Sequence, residues 1–338
     1  MKTKLNLKFV VLAIMSFFMA SCSVESDENV RLISKNYSES MVIQELKTYN
    51  DSIAKSREKM TMRGGIPRWV NVVVSDAVGA YCGGKTGAYI GGKIGLALGS
   101  PITGGAFGGF LGAVGFGAYR SAKTHHSTCT YACTPSDFQN NFIQKAAIII
   151  DQYKETLYGN IDFTSVKEDN DNYALDSLSD EVDIDGQILD EVHLTRRQLN
   201  VGKIHNIILA ALADSMQIGD SEPAMRSVTN DDYMTEEMDF QSFSALMDWN
   251  ELYEEANQMA DGVETGVIES KADYIIILFL NIFSVYTYET KDVVTLINKY
   301  ATVVNSSNEF TEEEKEYIMY GLATALYSYN YWEVEYLK

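Results

Sequence analysis

Four side chains that could hold a metal ion lie close together in the sequence. His125, His126, Cys129 and Cys133 place two imidazoles and two thiols within nine residues, and tetrahedral zinc prefers these ligands. Structural zinc sites, however, usually take two ligand pairs from separate elements, and adjacent histidines point apart. We therefore expect no metal site here and keep zinc as the less favoured interpretation.

A second group of ligand-type residues resembles part of a calcium-binding loop. Glu181, Asp183 and Asp185 have the spacing of its first half, but the twelfth position holds Val192 instead of a bidentate glutamate. Residues 168–191 contain ten acidic and no basic side chains, which is typical of a solvated segment. The pattern favours an acidic linker over a calcium site.

Composition limits the function further. The chain of 338 residues has only 4 histidines and 4 cysteines, and neither His193 nor His205 has a matched nucleophile or carboxylate pattern. We expect no catalytic residue, no cofactor and no enzymatic activity. A net charge of −20 excludes nucleic acid as a partner, because binding to phosphates depends on lysine and arginine.

The first residues have the pattern of an export signal. Three lysines precede an apolar run over residues 9–18, and the small residues Ala20 and Ser21 precede Cys22. A run of this length is too short to span a bilayer as a helix. Residues 1–21 therefore resemble a bacterial lipoprotein signal peptide, which implies lipidation of Cys22 with acyl chains such as palmitate. The alternative is an ordinary secretory peptide with an incidental cysteine.

The residues after Cys22 add a sorting signal. Ser23 is followed by Glu25, Asp27 and Glu28, and this run resembles the surface-export signal of outer-membrane lipoproteins from Bacteroidota-type Gram-negative bacteria. The resemblance implies a lipid-anchored protein of the outer membrane, exposed at the cell surface, with the periplasmic face as the alternative. A flexible acidic tether over residues 22–37 is the simpler interpretation of the same run.

Export also changes the expectation for the cysteines, because disulfides persist in oxidising compartments. Cys129 with Cys133 is the simplest candidate pair. A bridge from Cys82 to either of them stays open, and it would join two separate helical segments.

Helical spacing of apolar residues recurs along most of the chain, so we predict an all-α protein. An amphipathic helix is expected over residues 38–60, a second one after Pro135, and a last one opened by a capping box of Thr311 and Glu314. The predicted organisation is a signal peptide (1–21), an acidic tether (22–37), a helical domain (38–160) that contains a glycine-rich hairpin (78–119), an acidic linker (161–195) and a helical C-terminal domain (196–338).

The hairpin is the most unusual segment, because glycine occupies every fourth position of it. Ser100 and Pro101 should break the helix, so the row predicts two helical arms around a turn. Six glycines in one helix cost about 5 kcal/mol relative to alanine, which close backbone packing must offset. The predicted packing residues are Gly79, Gly83, Gly87, Gly91, Gly95, Gly99, Gly104, Gly108 and Gly112.

The glycine row resembles the glycine-zipper segments of bacterial outer-membrane lipoproteins and of two-peptide bacteriocins. The resemblance implies close helix packing or self-association at the membrane, or alternatively a secreted toxin that inserts the hairpin into target bilayers. Each arm is about 26–30 Å long, close to the bilayer thickness. Lys85 and Lys93 nevertheless disfavour a permanent span, because a charged side chain is costly at the bilayer centre.

Glu58, Met62 and the pair Gly64-Gly65 resemble the double-glycine leader of bacteriocin precursors, although Lys59 departs from that pattern. Processing after Gly65 is therefore an open alternative to a glycine loop that ends the preceding helix.

Overall fold

The computed structural model describes residues 37, 39–57, 68–125, 135–158, 192–217, 240–286 and 290–337. Helices and short connections account for all of these residues, which confirms the predicted all-α class. The helices are α1 (Met41–Arg57), α2 (Arg68–Ala97), α3 (Pro101–His125), α4 (Pro135–Phe138), α5 (Gln144–Tyr158), α6 (Arg196–Gln217), α7 (Phe240–Leu246), α8 (Trp249–Glu264), α9 (Lys271–Tyr286), α10 (Thr290–Asn305) and α11 (Glu312–Leu337). The signal peptide, Cys22, the tether as far as residue 36, Gly65, Cys129, Cys133 and the linker as far as residue 191 lie outside the described residues.

The first predicted helix is α1, which begins at Met41, a few residues later than predicted, while the predicted residues 58–60 lie outside the described residues. The Ser40 side chain accepts a hydrogen bond from the Ile43 amide at 3.2 Å, as an N-cap residue does. Val42, Leu46 and Ile53 form its buried face, which packs against α9 and α10.

The glycine-rich segment folds as an antiparallel hairpin of α2 and α3. Helix α2 starts at Arg68, well before the predicted residue 78, because Val70, Val72 and Val73 extend its buried face. The turn depends on Gly99, whose φ of 87° lies in the left-handed region that glycine tolerates. The Ser100 amide donates to the Gly95 carbonyl at 2.7 Å, so the helix ends in a Schellman motif. Pro101 then starts α3, at the helical position that proline favours.

A π-helical turn over Gln139–Ile143 interrupts the helix predicted after Pro135. The wider turn lets two adjacent side chains, Phe142 and Ile143, both face the core. Ile143 packs directly over Gly115 of α3, and the ring centroids of Phe142 and Tyr119 lie 5.5 Å apart. The π turn thereby fits this helix to the side of the hairpin.

Helix α11 is the main support of the hairpin and runs antiparallel to α2. Tyr320 packs over Gly84, whereas Ser328 further along α11 reaches Asp76 nearer the start of α2. The capping box at its start is confirmed, with Thr311 N donating to Glu314 Oε2 at 2.9 Å and Glu314 N donating to Thr311 Oγ1 at 3.1 Å. The hairpin and the C-terminal helices thus contribute to one continuous hydrophobic core.

Candidate functional site

The two arms of the hairpin meet along a row of glycines that we call the glycine seam: Gly83, Gly87, Gly91 and Gly95 of α2 with Gly104, Gly108 and Gly112 of α3. A methyl group on Gly91 would overlap the carbonyl oxygen of Gly104, and one on Gly87 would overlap that of Gly108. The same overlap recurs between Gly83 and Gly112, so a step of four residues up α2 matches four residues down α3. The backbones are therefore in direct contact, which no residue with a side chain permits.

The predicted glycines at the two ends of the row lie in other surroundings. Gly99 forms the turn, and a methyl group on it would meet no atom of the described residues within 4 Å. Gly79 lies against the Arg120 side chain and the backbone of Gly117. The seam itself consequently spans the middle of the hairpin, with the turn at one end and a charged side chain at the other.

The flanks of the seam are covered by the same chain. A methyl group on Gly84 would lie 3.0 Å from the Tyr320 ring of α11, and one on Gly117 would lie 3.2 Å from the His205 ring of α6. Gly92, by contrast, faces open space, and a methyl group on it would meet only the Pro101 carbonyl, at 3.9 Å, among the described residues.

Three cations of the hairpin are paired with carboxylates of the C-terminal half. Lys93 lies 2.6 Å from Glu251, and Lys85 lies 3.5 Å from the buried Asp273. Arg120, whose side chain is 4% exposed, contacts both Asp261 and Glu264 at the base of the hairpin. Since residues 77–136 contain no acidic side chain, these partners all come from other parts of the fold.

An apolar surface that we call the hairpin tip lies at the turn. It consists of Tyr89, Leu96, Leu98 and Ile102, which are 59%, 70%, 48% and 72% exposed. These are four of the six large apolar side chains that are exposed in the described part of the chain, the others being Met41 and Val267. The exposed apolar surface is therefore concentrated at the turn, on the last three turns of α2 and the first turn of α3.

The base of the hairpin contains a buried polar cluster of Asp76, His205, Ser328 and Trp332. The Ser328 hydroxyl and the Trp332 indole N–H both donate to Asp76 Oδ2, the latter at 3.3 Å. Burial raises the pKa of Asp76 to about 7 despite these hydrogen bonds, and burial lowers the pKa of His205 to about 4. His205 Nε2 lies 3.8 Å from Asp76 Oδ2, so the cluster prefers two neutral side chains.

The buried polar cluster contains the residue types of a nucleophilic triad but not its geometry. The Ser328 hydroxyl bonds to Asp76 and not to His205, so the imidazole is not placed as its general base. All three side chains are fully buried. In this arrangement the cluster joins α2, α6 and α11, and it offers no surface to a substrate.

The remaining ligand-type residues are only partly described. Cys82 is a buried free thiol, and burial raises its pKa well above the usual value. Residues 68–125 and the other described ranges contain no group of three His, Cys, Asp or Glu side chains placed to bind a metal. His126, Cys129, Cys133 and the acidic residues 181–185 lie outside those ranges, so the disulfide, zinc and calcium interpretations stay predictions.

Sequence reasoning missed Asp76 and the hairpin tip. Asp76 is the one acidic residue of α2, and its isolation was the signal that the sequence offered. Leu96, Leu98 and Ile102 flank the Ser100-Pro101 break, but their exposure depends on where α8 and α11 begin, which spacing does not reveal.

No helix of the described residues is both long and apolar enough to cross a membrane. No protein-family model, curated protein or solved structure matches the chain.

Proposed function

We propose that the protein is a non-enzymatic, lipid-anchored envelope protein in which the glycine hairpin provides close helix packing at the membrane. The anchor is Cys22, and the outer membrane is its location, with the surface-exposed face favoured by the acidic residues after Cys22. The observation that carries the proposal is the glycine seam, which is closed within the chain and ends in an exposed apolar tip.

The contacts favour packing within one chain over self-association through the seam. Gly83, Gly87 and Gly91 each lie against the backbone of α3, so a second copy could reach them only if the hairpin opened. The outer flank at Gly84 is occupied by Tyr320. A second copy would therefore have to use another surface.

The toxin alternative is favoured by one observation, the apolar tip, and opposed by several contacts. Insertion of the whole hairpin would separate Lys85 from Asp273 and Arg120 from Glu264, and it would expose the core side of α2 that α11 covers. This alternative predicts that the mature chain releases dye from anionic vesicles at micromolar concentration. The packing function predicts intact vesicles.

Replacing Cys22 by alanine, in a chain whose residues 1–21 are exchanged for a secretory signal peptide that is cleaved without lipidation, tests the anchor. We expect the variant to lose its acyl chains and to leave the membrane fraction, because the acyl chains are the anchor in this proposal. Metabolic labelling with a palmitate analogue and cell fractionation measure both effects. The matched control is Cys82→Ala, which removes a buried thiol and should leave labelling and fractionation unchanged. An acylated or membrane-bound Cys22→Ala protein would contradict the proposal.

A further inference from the structure

The hairpin tip extends beyond the helix that supports it. Helix α11 is antiparallel to α2, and its Gly321 packs against the Ala77 carbonyl, so its first residue, Glu312, lies near the level of Ala88. Helix α8 reaches further, to Lys93, which pairs with Glu251. The turn at Gly99 is six residues beyond Lys93, about 9 Å at 1.5 Å per residue. This distance matches the depth to which interfacial apolar groups enter the headgroup and acyl boundary, about 5–10 Å.

The N-terminal end of the described chain lies beside the start of α11. Glu309, which precedes α11, accepts hydrogen bonds from the amides of Met41 at 2.9 Å and Val42 at 3.3 Å. Tyr37 is held nearby through its hydroxyl, which donates to the Glu269 carbonyl at 3.2 Å. From Tyr37 to Cys22 the chain has 15 residues, which reach at most about 50 Å when extended.

The charge distribution also suits contact with lipid. The protein carries 47 acidic side chains, yet none lies between Asp76 and Asp137. The nearest hairpin cation, Lys93, is neutralised by Glu251 and lies over the Tyr89 ring, 4.0 Å from its centroid. The tip is therefore apolar and uncharged, while the acidic surface begins at Glu251 of α8 and at the start of α11.

We propose that the hairpin tip inserts shallowly into the lipid leaflet that holds the acyl chains of Cys22. This inference rests on the proposed lipid anchor and adds a second contact with the membrane. Leu96, Leu98 and Ile102 enter the acyl boundary, and the glutamates at the start of α11 stop deeper insertion. Two attachment points fix the orientation of the protein on the membrane, which a flexible tether alone does not.

Tryptophan fluorescence in bromolipid vesicles tests the insertion. The acylated, full mature protein carrying Leu98→Trp is reconstituted in phosphatidylcholine vesicles with or without brominated acyl chains, and the wild-type signal is subtracted. The matched control is Val267→Trp, because Val267 is 46% exposed and Leu98 is 48% exposed, but Val267 lies outside the tip. We expect bromolipid to quench the Leu98→Trp signal at least twofold and to leave Val267→Trp unchanged.

A second variant separates insertion from a folding effect. Adding Leu96→Ser and Ile102→Ser to Leu98→Trp should abolish the quenching while the melting temperature stays the same, because both side chains are exposed. Equal quenching of Leu98→Trp and Val267→Trp, or no quenching of either, overturns the inference. The mass of the Cys22 peptide reports acylation independently, so a missing anchor is distinguished from a tip that stays in water.

Discussion

Replacing Gly91 by alanine should lower the free energy of unfolding by about 1–3 kcal/mol. An alanine in the middle of a helix normally stabilises it relative to glycine by about 1 kcal/mol. At Gly91, however, the added methyl group overlaps the carbonyl oxygen of Gly104, and the backbone of α3 has no flexible side chain that could move aside. Urea unfolding followed by circular dichroism measures the change.

The neighbouring residue provides the matched control. Gly92 lies in the same helix, and a methyl group there meets only the Pro101 carbonyl at 3.9 Å among the described residues. Gly92→Ala should therefore raise the free energy of unfolding by up to about 1 kcal/mol. We therefore expect the alanine at position 91 to destabilise the protein and the alanine at position 92 to stabilise it. Two stabilising substitutions would show that the arms do not touch at Gly91.

Replacing Asp76 by asparagine should change how stability depends on pH. In the folded protein burial raises the pKa of Asp76 from 3.8 to about 7, so the folded state holds a proton that the unfolded state loses between these values. The free energy of unfolding therefore falls as pH rises from about 4 to about 7, by roughly 4 kcal/mol from this group. Asparagine keeps an acceptor for Ser328 and Trp332 and does not ionise.

His205 has the opposite effect on stability. Burial lowers its pKa from 6.5 to about 4, so the unfolded state binds a proton that the folded state lacks, and stability rises as pH increases through this range. In the wild-type protein the pH-dependent contributions of Asp76 and His205 to the free energy of unfolding nearly cancel between about pH 4 and 6.5. In Asp76→Asn the contribution of His205 remains alone.

The free energy of unfolding measured from pH 4 to pH 8 checks this prediction. Relative to the wild-type protein, we expect the free energy of unfolding of Asp76→Asn to increase by about 4 kcal/mol between pH 4 and pH 8. The difference between the two proteins should be largest above pH 7. Asp261→Asn is the control for removal of a carboxylate, because Asp261 is 64% exposed. Parallel pH profiles for Asp76→Asn and the wild-type protein would contradict the buried, raised-pKa carboxyl group.

Local sequence patterns predicted several helix ends and buried helix faces correctly. The capping box of Thr311 and Glu314, the break at Pro101 and the apolar faces of α1 and α11 all depend on residues within a few positions of each other, which spacing reveals. The π turn at Gln139–Ile143 was missed because it depends on how Phe142 and Ile143 fit against α3, a contact between distant parts of the sequence.

The site was harder to predict than the elements. The four-residue spacing identified glycines that pack closely, but it did not identify their partner, since α3, another helix or a second copy would all suit the same row. The ion pairs of Lys85, Lys93 and Arg120 join residues more than 100 positions apart, so no local pattern indicates them. Exposure of the tip likewise follows from the lengths of the supporting helices.

A cysteine crosslink between the two arms tests most directly whether the hairpin closes within one chain. Ala88→Cys with Gly109→Cys places the two side chains across the seam, because a β-carbon on Gly109 would lie 3.2 Å from that of Ala88, close to the spacing of a disulfide, about 3.5–4.5 Å. The doubly substituted protein is prepared unlabelled and with ¹⁵N, mixed while reduced, oxidised, and analysed by mass spectrometry of the crosslinked peptide. We expect crosslinks only between arms with the same label, whereas mixed-label crosslinks at a substantial fraction would show that the seam joins separate copies.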